Sequence, residues 1–162
     1  MLTQPRIIER AAEPFAAIML EVTQREIAER APPLIADVMA WVKRRDGQIS
    51  GPPFFSYVTF LPAGRMRMMV GVATATVLGS DGLIVTGELP AGRYASVTHR
   101  GPYAALYEAN MGLDAWIRAQ GFDYAGEVRG DSFVEATRLE IYREPGSATT
   151  PPVTEVAFRL KA

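Results

Sequence analysis

A strand interrupted by a charge is the first feature of the hydrophobic and polar pattern. The segment Arg138–Pro145, RLEIYREP, is rich in strand-forming residues, follows extended residues 135–137 and ends at a proline. Because residues two apart in a strand share a face, Leu139 and Ile141 are predicted to enter the core. Glu140 and Tyr142 then share the opposite face. A carboxylate beside an aromatic ring breaks the alternation, which is typical of functional sites, although an ordinary solvent-exposed glutamate is the alternative.

The first half of the chain has a pattern of strands, a helix and two further strands. Thr23-Gln24-Arg25-Glu26 has the spacing of a capping box, which indicates that a helical turn starts there. The main helix is predicted from about Pro33 to Arg45, with an apolar stripe at helical spacing. The predicted strands are 6–11, then 15–22 as its continuation past Glu13-Pro14, 54–60, and 66–78 broken by Gly71.

The second half repeats this order after a connecting loop at Ser80-Asp81-Gly82. Strands are predicted at 83–88 and 93–99, and the last strand at 154–160. Gly101-Pro102 opens a helix that Gly121 ends, and a loop is predicted to follow through Gly126 and Gly130. The apolar stripe of this helix consists of Leu106, Ala109, Asn110, Leu113, Trp116 and Ile117.

The similarity of the two halves predicts the architecture. Each half reads as strand or strands, helix, strand, strand, which is a duplication of pattern without residue identity. We therefore expect an α+β fold: one domain over residues 1–162, built from two βαββ units at about 5–79 and 83–161. Antiparallel sheets with helices would be related by a pseudo-twofold axis, and a crevice between such units is a natural ligand site.

Composition narrows the class of protein. The chain has 162 residues, 48% hydrophobic residues and a formal net charge of −1, and its longest basic run is Lys43-Arg44-Arg45. Nucleic acid is therefore not an expected partner. The absence of cysteine, of an apolar run near 18 residues and of a signal-peptide pattern favours a cytoplasmic protein with no membrane contact.

Most familiar catalytic motifs are missing from the sequence. His99 is the single histidine, so a multi-histidine metal site is excluded, and we expect His99 to brace the turn that follows it. The sequence contains no phosphate loop, dinucleotide fingerprint or Gly-x-Ser-x-Gly elbow, so no cofactor or metal is expected. What remains is Glu140 among aromatic residues. Phe55 and Tyr57 share a strand face, and Trp116 lies on a helix stripe, where it either packs in the core or faces a pocket.

An ordered set of short segments resembles the GyrI-like small-molecule-binding family. That family includes the effector-binding domains of multidrug-responsive MerR- and AraC-type regulators. The chain departs from the family pattern at Ala73 and at Arg143-Glu144, and we expect these departures to affect turns more than the pocket. The segments that carry the resemblance are Gly51-Pro52-Pro53-Phe54, Val70-Gly71-Val72, Gly92-Arg93-Tyr94, His99-Arg100-Gly101-Pro102-Tyr103, Leu113-Asp114-Ala115-Trp116 and Leu139-Glu140-Ile141-Tyr142.

The resemblance implies a pocket at the pseudo-twofold in which Glu140 meets hydrophobic, cationic or aromatic small molecules. We expect Tyr142, Trp116, Tyr57 and Phe55 to complete the ligand site, since ring faces attract organic cations. The first hypothesis is a binding module for drug or toxin sensing or sequestration, acting alone or with a protein partner such as a regulator.

Two other functions stay open at this point. Some members of the resembling family hydrolyse electrophilic cyclopropane-type genotoxins. In that reading Glu140 is a general base, and Tyr142 or Tyr57 donates to the developing oxyanion. The third hypothesis, ranked last, is inhibition of DNA gyrase.

Overall fold

Ten strands form one antiparallel sheet in the computed structural model, which describes residues 1–162. The strands are β1 (Arg6–Arg10), β2 (Glu13–Thr23), β3 (Ile49–Phe60), β4 (Arg65–Thr74), β5 (Ile84–Leu89), β6 (Gly92–Arg100), β7 (Glu127–Arg129), β8 (Ser132–Val134), β9 (Arg138–Glu144) and β10 (Val153–Arg159). The main path through the sheet is β1-β6-β10-β9-β3-β4-β2-β5, and the β7–β8 hairpin attaches to β3.

The strand order is symmetric about the junction of β9 and β3. On one side lie β9, β10 and β6 from the second half of the chain, and on the other lie β3, β4 and β2 from the first half. The first strand of each half pairs with a strand of the other half: β1 pairs with β6, and β5 pairs with β2. The predicted α+β class with antiparallel strands is confirmed, while the repeat boundaries stay a prediction.

Three helices cover one face of this sheet: α1 (Ile27–Arg30), α2 (Pro32–Arg44) and α3 (Leu106–Ala119). Short 3-10 turns precede α1 and α3 at Gln24–Glu26 and Tyr103–Ala105. The predicted capping box forms, since the Thr23 backbone N–H donates to Glu26 Oε1 at 2.8 Å. None of the helices combines the length and the apolar character that a membrane span requires.

The two sheet faces bury different clusters. Leu139 and Ile141 enter a core with Phe54 and Tyr94 on the face without helices, as their strand alternation predicts. On the helical face, Leu113 and Ile117 of α3 pack on β6 and β10, while α2 packs on β2 and β4. Glu140 belongs to this second face, between the two helical clusters.

Several details differ from the sequence prediction. β3 begins at Ile49, before the predicted start at 54, and Ala73 and Arg143-Glu144 lie in β4 and β9, not in turns. β2 does not continue β1, since the chain leaves the sheet at residues 11–12 and the two strands join different neighbours. β4 ends at Thr74 because residues beyond it form a bend and a loop. Residues 135–137 are not strand, and Glu135 has a positive φ of 58°. The segment predicted as a loop contains the β7–β8 hairpin, which joins β3 through the Phe60–Phe133 pair.

Candidate functional site

The junction of β9 and β3 brings four of the predicted site residues onto one face. Phe55 is the direct cross-strand partner of Glu140. Tyr57 and Tyr142 follow two residues later on their own strands, so all four side chains point toward the helices. The rings of Phe55 and Tyr142 meet edge to face with centroids 4.9 Å apart. This contact fixes the Tyr142 ring beside the carboxylate.

Three neutral donors hold the Glu140 carboxylate, which is 6% exposed. Oε1 accepts hydrogen bonds from the hydroxyls of Tyr57 at 2.9 Å and Tyr142 at 3.0 Å. Oε2 accepts one from Asn110 Nδ2 at 2.8 Å, and the same nitrogen donates to the Leu106 carbonyl at 2.8 Å. An ionised carboxylate has about four acceptor positions, so one position on Oε2 stays open to a ligand or water.

No cationic side chain pairs with Glu140. Its carboxylate has no Lys, Arg or His nitrogen within ion-pair distance. Burial, followed by the negative charge of Glu140, raises the pKa of both Tyr57 and Tyr142 well above the usual value of 10.0. Both phenols therefore remain protonated donors at neutral pH.

A cavity of about 930 Å³ opens in front of these residues. Its volume lies in the range of drug-sized binding sites, which is about 300–1,000 Å³. The outer rim is apolar and exposed at Tyr103, Tyr107 and Met111, which recur along one face of the 3-10 turn and α3. Fourteen of the 23 lining residues are hydrophobic. The aromatic members are Phe55, Tyr57, Phe60, Tyr103, Tyr107, Tyr142 and Phe158.

Trp116 is the one predicted site residue that does not line this cavity. It is partly buried against the α3 core cluster, with its ring centroid 6.2 Å from that of Phe122. Helix geometry explains the difference. Asn110 and Asp114 line the cavity four residues apart, whereas Trp116 lies two residues beyond Asp114, or about 200° around the helix axis. The core-packing alternative for Trp116 therefore describes its position.

Sequence reasoning missed the roles of Asn110 and Arg138. Asn110 was assigned to the apolar stripe of α3, where a polar amide among aliphatic residues was the available signal. Arg138 also lines the cavity, two residues before Glu140 on β9. His99 behaves as predicted, since it is buried and its Nε2 lies 3.0 Å from the Pro102 carbonyl oxygen in the following turn. No group of three or more His, Cys, Asp or Glu side chains is placed to hold a metal ion.

Comparison with known proteins identifies the family. The model of the GyrI-like small molecule binding domain matches residues 3–161. No curated protein matches the sequence significantly.

Among solved structures, the C-terminal domain of EcmrR superposes with a TM-score of 0.74 at 17% identity, covering 98% of this chain and 97% of that domain. The chain spans 57% of the EcmrR chain in its complex with DNA. SAV2435 bound to tetraphenylphosphonium has a TM-score of 0.63 at 14% identity, covering 99% and 95% of the two chains. A hydrolase from Listeria innocua has a TM-score of 0.56 at 10% identity, covering 98% and 92%. The chain therefore belongs to the GyrI-like family of small-molecule-binding domains.

Proposed function

We propose that the cavity binds a lipophilic organic cation and that Glu140 is its counter-ion. The observation that carries this proposal is a buried carboxylate, held by three neutral donors, that faces a large aromatic-lined cavity without a cationic partner. The donors orient the charge but leave it uncompensated. A monovalent organic cation supplies the missing charge, and its apolar groups fit the lining.

The physical terms favour a cation over a neutral molecule of the same shape. A unit charge about 4 Å from the carboxylate gains about 4 kcal/mol at an effective dielectric constant of about 20. Ring faces add about 0.5–2 kcal/mol each when the cation is desolvated. Loss of the hydration shells of both ions opposes these gains, so we expect a net preference of one to two orders of magnitude in affinity, or about 1.4–2.7 kcal/mol.

SAV2435, whose fold is similar, has been solved with tetraphenylphosphonium, and that ligand provides a suitable probe. Triphenylphosphine oxide is a matched neutral control, because it keeps three phenyl rings on phosphorus but carries no net charge. Isothermal titration calorimetry of both ligands with the wild type and with Glu140→Gln separates the effect of the ligand's charge on affinity from the effect of its shape. We expect the wild type to prefer the phosphonium by about 10–100-fold, and Glu140→Gln to lose most of that preference.

The substitution is conservative in size but changes one hydrogen bond. The glutamine oxygen can still accept from Tyr57 and Tyr142, whereas its NH₂ group faces the Asn110 amide, which has to turn its oxygen toward it. Affinity for triphenylphosphine oxide controls for this rearrangement. Equal losses for the cation and the neutral ligand would point to a change of shape. An unchanged affinity for the phosphonium would contradict the proposal.

A second candidate function is hydrolysis of an electrophilic ring compound. It is favoured by the open acceptor position on Glu140 Oε2, which can hold a water molecule, and by the phenol donors 2.9 and 3.0 Å from Oε1. Glu140 would take a proton from water while the water oxygen bonds to a ring carbon. The ring bond breaks and its electron pair moves to an adjacent carbonyl oxygen. Tyr142 or Tyr57 turns its single O–H from Glu140 Oε1 to that oxyanion, and the proton taken by Glu140 then returns to the carbon of the enolate. The Listeria innocua protein of similar fold is described as a hydrolase.

Mass spectrometry distinguishes this activity from binding alone. Incubation with an activated cyclopropane, such as a cyclopropane 1,1-diester, yields the ring-opened alcohol if the site is hydrolytic. Product formation that falls to background in Glu140→Gln supports turnover. A rate that is equal in the wild type and the variant restricts the site to binding.

A further inference from the structure

Arg138 is a further charged residue in the same cavity, which Asp114 and Arg118 also line. It lies two residues before Glu140 on β9, so both side chains are on the helical face of the sheet. At about 3.3 Å rise per residue, the two Cα atoms are about 7 Å apart along the strand. The cavity therefore has an anionic position at Glu140 and a cationic position at Arg138, on a common floor.

Three aromatic rings surround the Arg138 guanidinium. Its central carbon lies 4.3 Å from the ring centroid of Tyr124, 4.7 Å from that of Phe60 and 5.0 Å from that of Phe158. Phe60 and Phe158 also line the cavity. These contacts hold the guanidinium in place and cover part of its surface without giving any of its five N–H groups an acceptor.

Arg138 has no hydrogen-bond acceptor and no ion-pair partner within the protein. Its Nε is fully buried and unpartnered, while both terminal nitrogens keep accessible surface. Arg138 is half-buried, and a guanidinium with a buried nitrogen that lacks an acceptor is uncommon, because buried polar groups are normally hydrogen-bonded. Since Arg138 lines the cavity, the missing acceptors can come from a molecule inside it.

Asp114 is the acidic residue whose charge acts on Arg138, but its two oxygens accept hydrogen bonds from other donors. Oδ1 accepts from the Tyr124 hydroxyl, and Oδ2 accepts from Arg118 Nε at 2.9 Å. Asp114 therefore acts on Arg138 through its charge and through Tyr124, which stacks on the guanidinium. Its charge does not satisfy the directional donors of Arg138.

We propose that Arg138 is an anion-recognising subsite and that the natural ligand is amphoteric, with a cationic end at Glu140 and a carboxylate or similar acceptor at Arg138. The cationic end rests on the function proposed above, whereas the acceptor end rests on Arg138 alone. A planar carboxylate matches the forked donors of a guanidinium and can bind two of them at once. A ligand with only positive charge meets repulsion at this end of the cavity.

A matched dye pair tests this subsite. Rhodamine B carries a cationic xanthene and a free carboxylate, and its ethyl ester has the same cationic ring system with the carboxylate blocked. Fluorescence anisotropy gives both dissociation constants for the wild type, Arg138→Met and Arg67→Met. Arg67 is exposed on β4 and lies outside the cavity. Its variant makes the same change in net charge as Arg138→Met and is therefore the matched control. We expect the wild type to bind the acid at least about tenfold more tightly than the ester.

The variants assign that preference to one residue. Arg138→Met keeps an unbranched side chain between the rings, and we expect it to bind the acid and the ester equally, while Arg67→Met keeps the wild-type ratio. If both dyes bind but the wild type binds the ester as tightly as the acid, or more tightly, the anion subsite is wrong and the cation site stands. If neither dye binds while tetraphenylphosphonium does, the anion subsite is wrong and the cation site stands; if none of the three binds, both proposals fail. The wild-type ratio decides the question even if Arg138→Met does not fold.

Discussion

The Tyr57–Glu140 hydrogen bond gives a quantitative test of how the site is held before any ligand binds. Tyr57→Phe removes only the hydroxyl that donates to Glu140 Oε1 at 2.9 Å. A hydrogen bond to a charged group contributes about 1.5–3 kcal/mol to stability. The Tyr142 hydroxyl still donates to the same oxygen at 3.0 Å, so we place the expected loss near the lower end of that range, at about 2 kcal/mol.

A double-mutant cycle isolates this interaction from other effects of the substitution. In the Glu140→Ala background the Tyr57 hydroxyl faces the open cavity, where water can satisfy it, and Tyr57→Phe should cost about 0.5 kcal/mol or less. The coupling free energy is then about 1.5 kcal/mol. In the wild-type background, a loss of about 2 kcal/mol lowers the melting temperature by roughly 4–8 °C for a chain of this size.

Equilibrium urea unfolding, followed by the fluorescence of Trp41 and Trp116, measures all four corners of the cycle. Tyr103→Phe is the matched control, because Tyr103 lines the same cavity and meets the Tyr142 ring edge to face but its hydroxyl has no protein partner. We expect that control to change the free energy of unfolding by less than about 0.5 kcal/mol. A coupling free energy below about 0.5 kcal/mol between Tyr57 and Glu140 would refute the account of a carboxylate held by phenol donors.

Two further expectations concern the scaffold. Burial works to raise the pKa of Glu155, but hydrogen bonds from Arg143 and Ser96 and nearby positive charge outweigh it and lower that pKa below 4.5. The resulting stability is present above pH 4.5 and is lost as the pH falls through the lowered folded-state pKa. Between pH 7 and 3 the free energy of unfolding should therefore fall more for the wild type than for Glu155→Gln. Equal losses in urea titrations would exclude this contribution. Gly71→Ala places a Cβ 2.5 Å from the Ala16 carbonyl oxygen. It should cost about 1–3 kcal/mol in urea unfolding, whereas Gly79→Ala, with nothing within 4 Å, should cost none, and similar values for both would contradict the close approach of β2 and β4.

Local patterns predicted the elements that position the site. The alternation of Leu139 and Ile141 with Glu140 and Tyr142 identified both faces of β9, because a strand with one buried core face repeats with period two. The apolar stripes located α2 within one residue at each end and the end of α3 within two residues, since their buried faces repeat at helical spacing. The predicted start of the second helix at Gly101-Pro102 was too early, because a 3-10 turn at Tyr103–Ala105 precedes α3.

Long-range features were not accessible in the same way. The exchange of β1 and β5 between the halves depends on distant pairing partners, from Ile18 with Ile84 to Arg6 with Ser96, and no local pattern records that choice. The β7–β8 hairpin has strands of three residues with no buried position, so it gives no alternation to detect. It is held instead by one pairing between Phe133 and Phe60.

The site residues show the same difference between local patterns and long-range packing. Phe55, Tyr57, Glu140 and Tyr142 were predictable because they share strand faces. Asn110 and Arg138 required the structure. The Asn110 amide on α3 reaches the carboxylate only because that helix packs on β6 and β10, beside β9, and the rings around Arg138 come from three separate segments. Trp116 shows the reverse case, in which an aromatic residue at a suitable position on the helix faces its own core.

A crystal structure of the protein saturated with tetraphenylphosphonium tests the central claim most directly. We expect the phosphonium centre in the cavity, beside the Glu140 carboxylate, with phenyl rings against the faces of Phe55 and Tyr142. The phenol hydrogen bonds to Oε1 should persist in the complex. A cation bound outside the cavity, or one inside it with a counter-ion other than Glu140, would contradict the role proposed for this carboxylate.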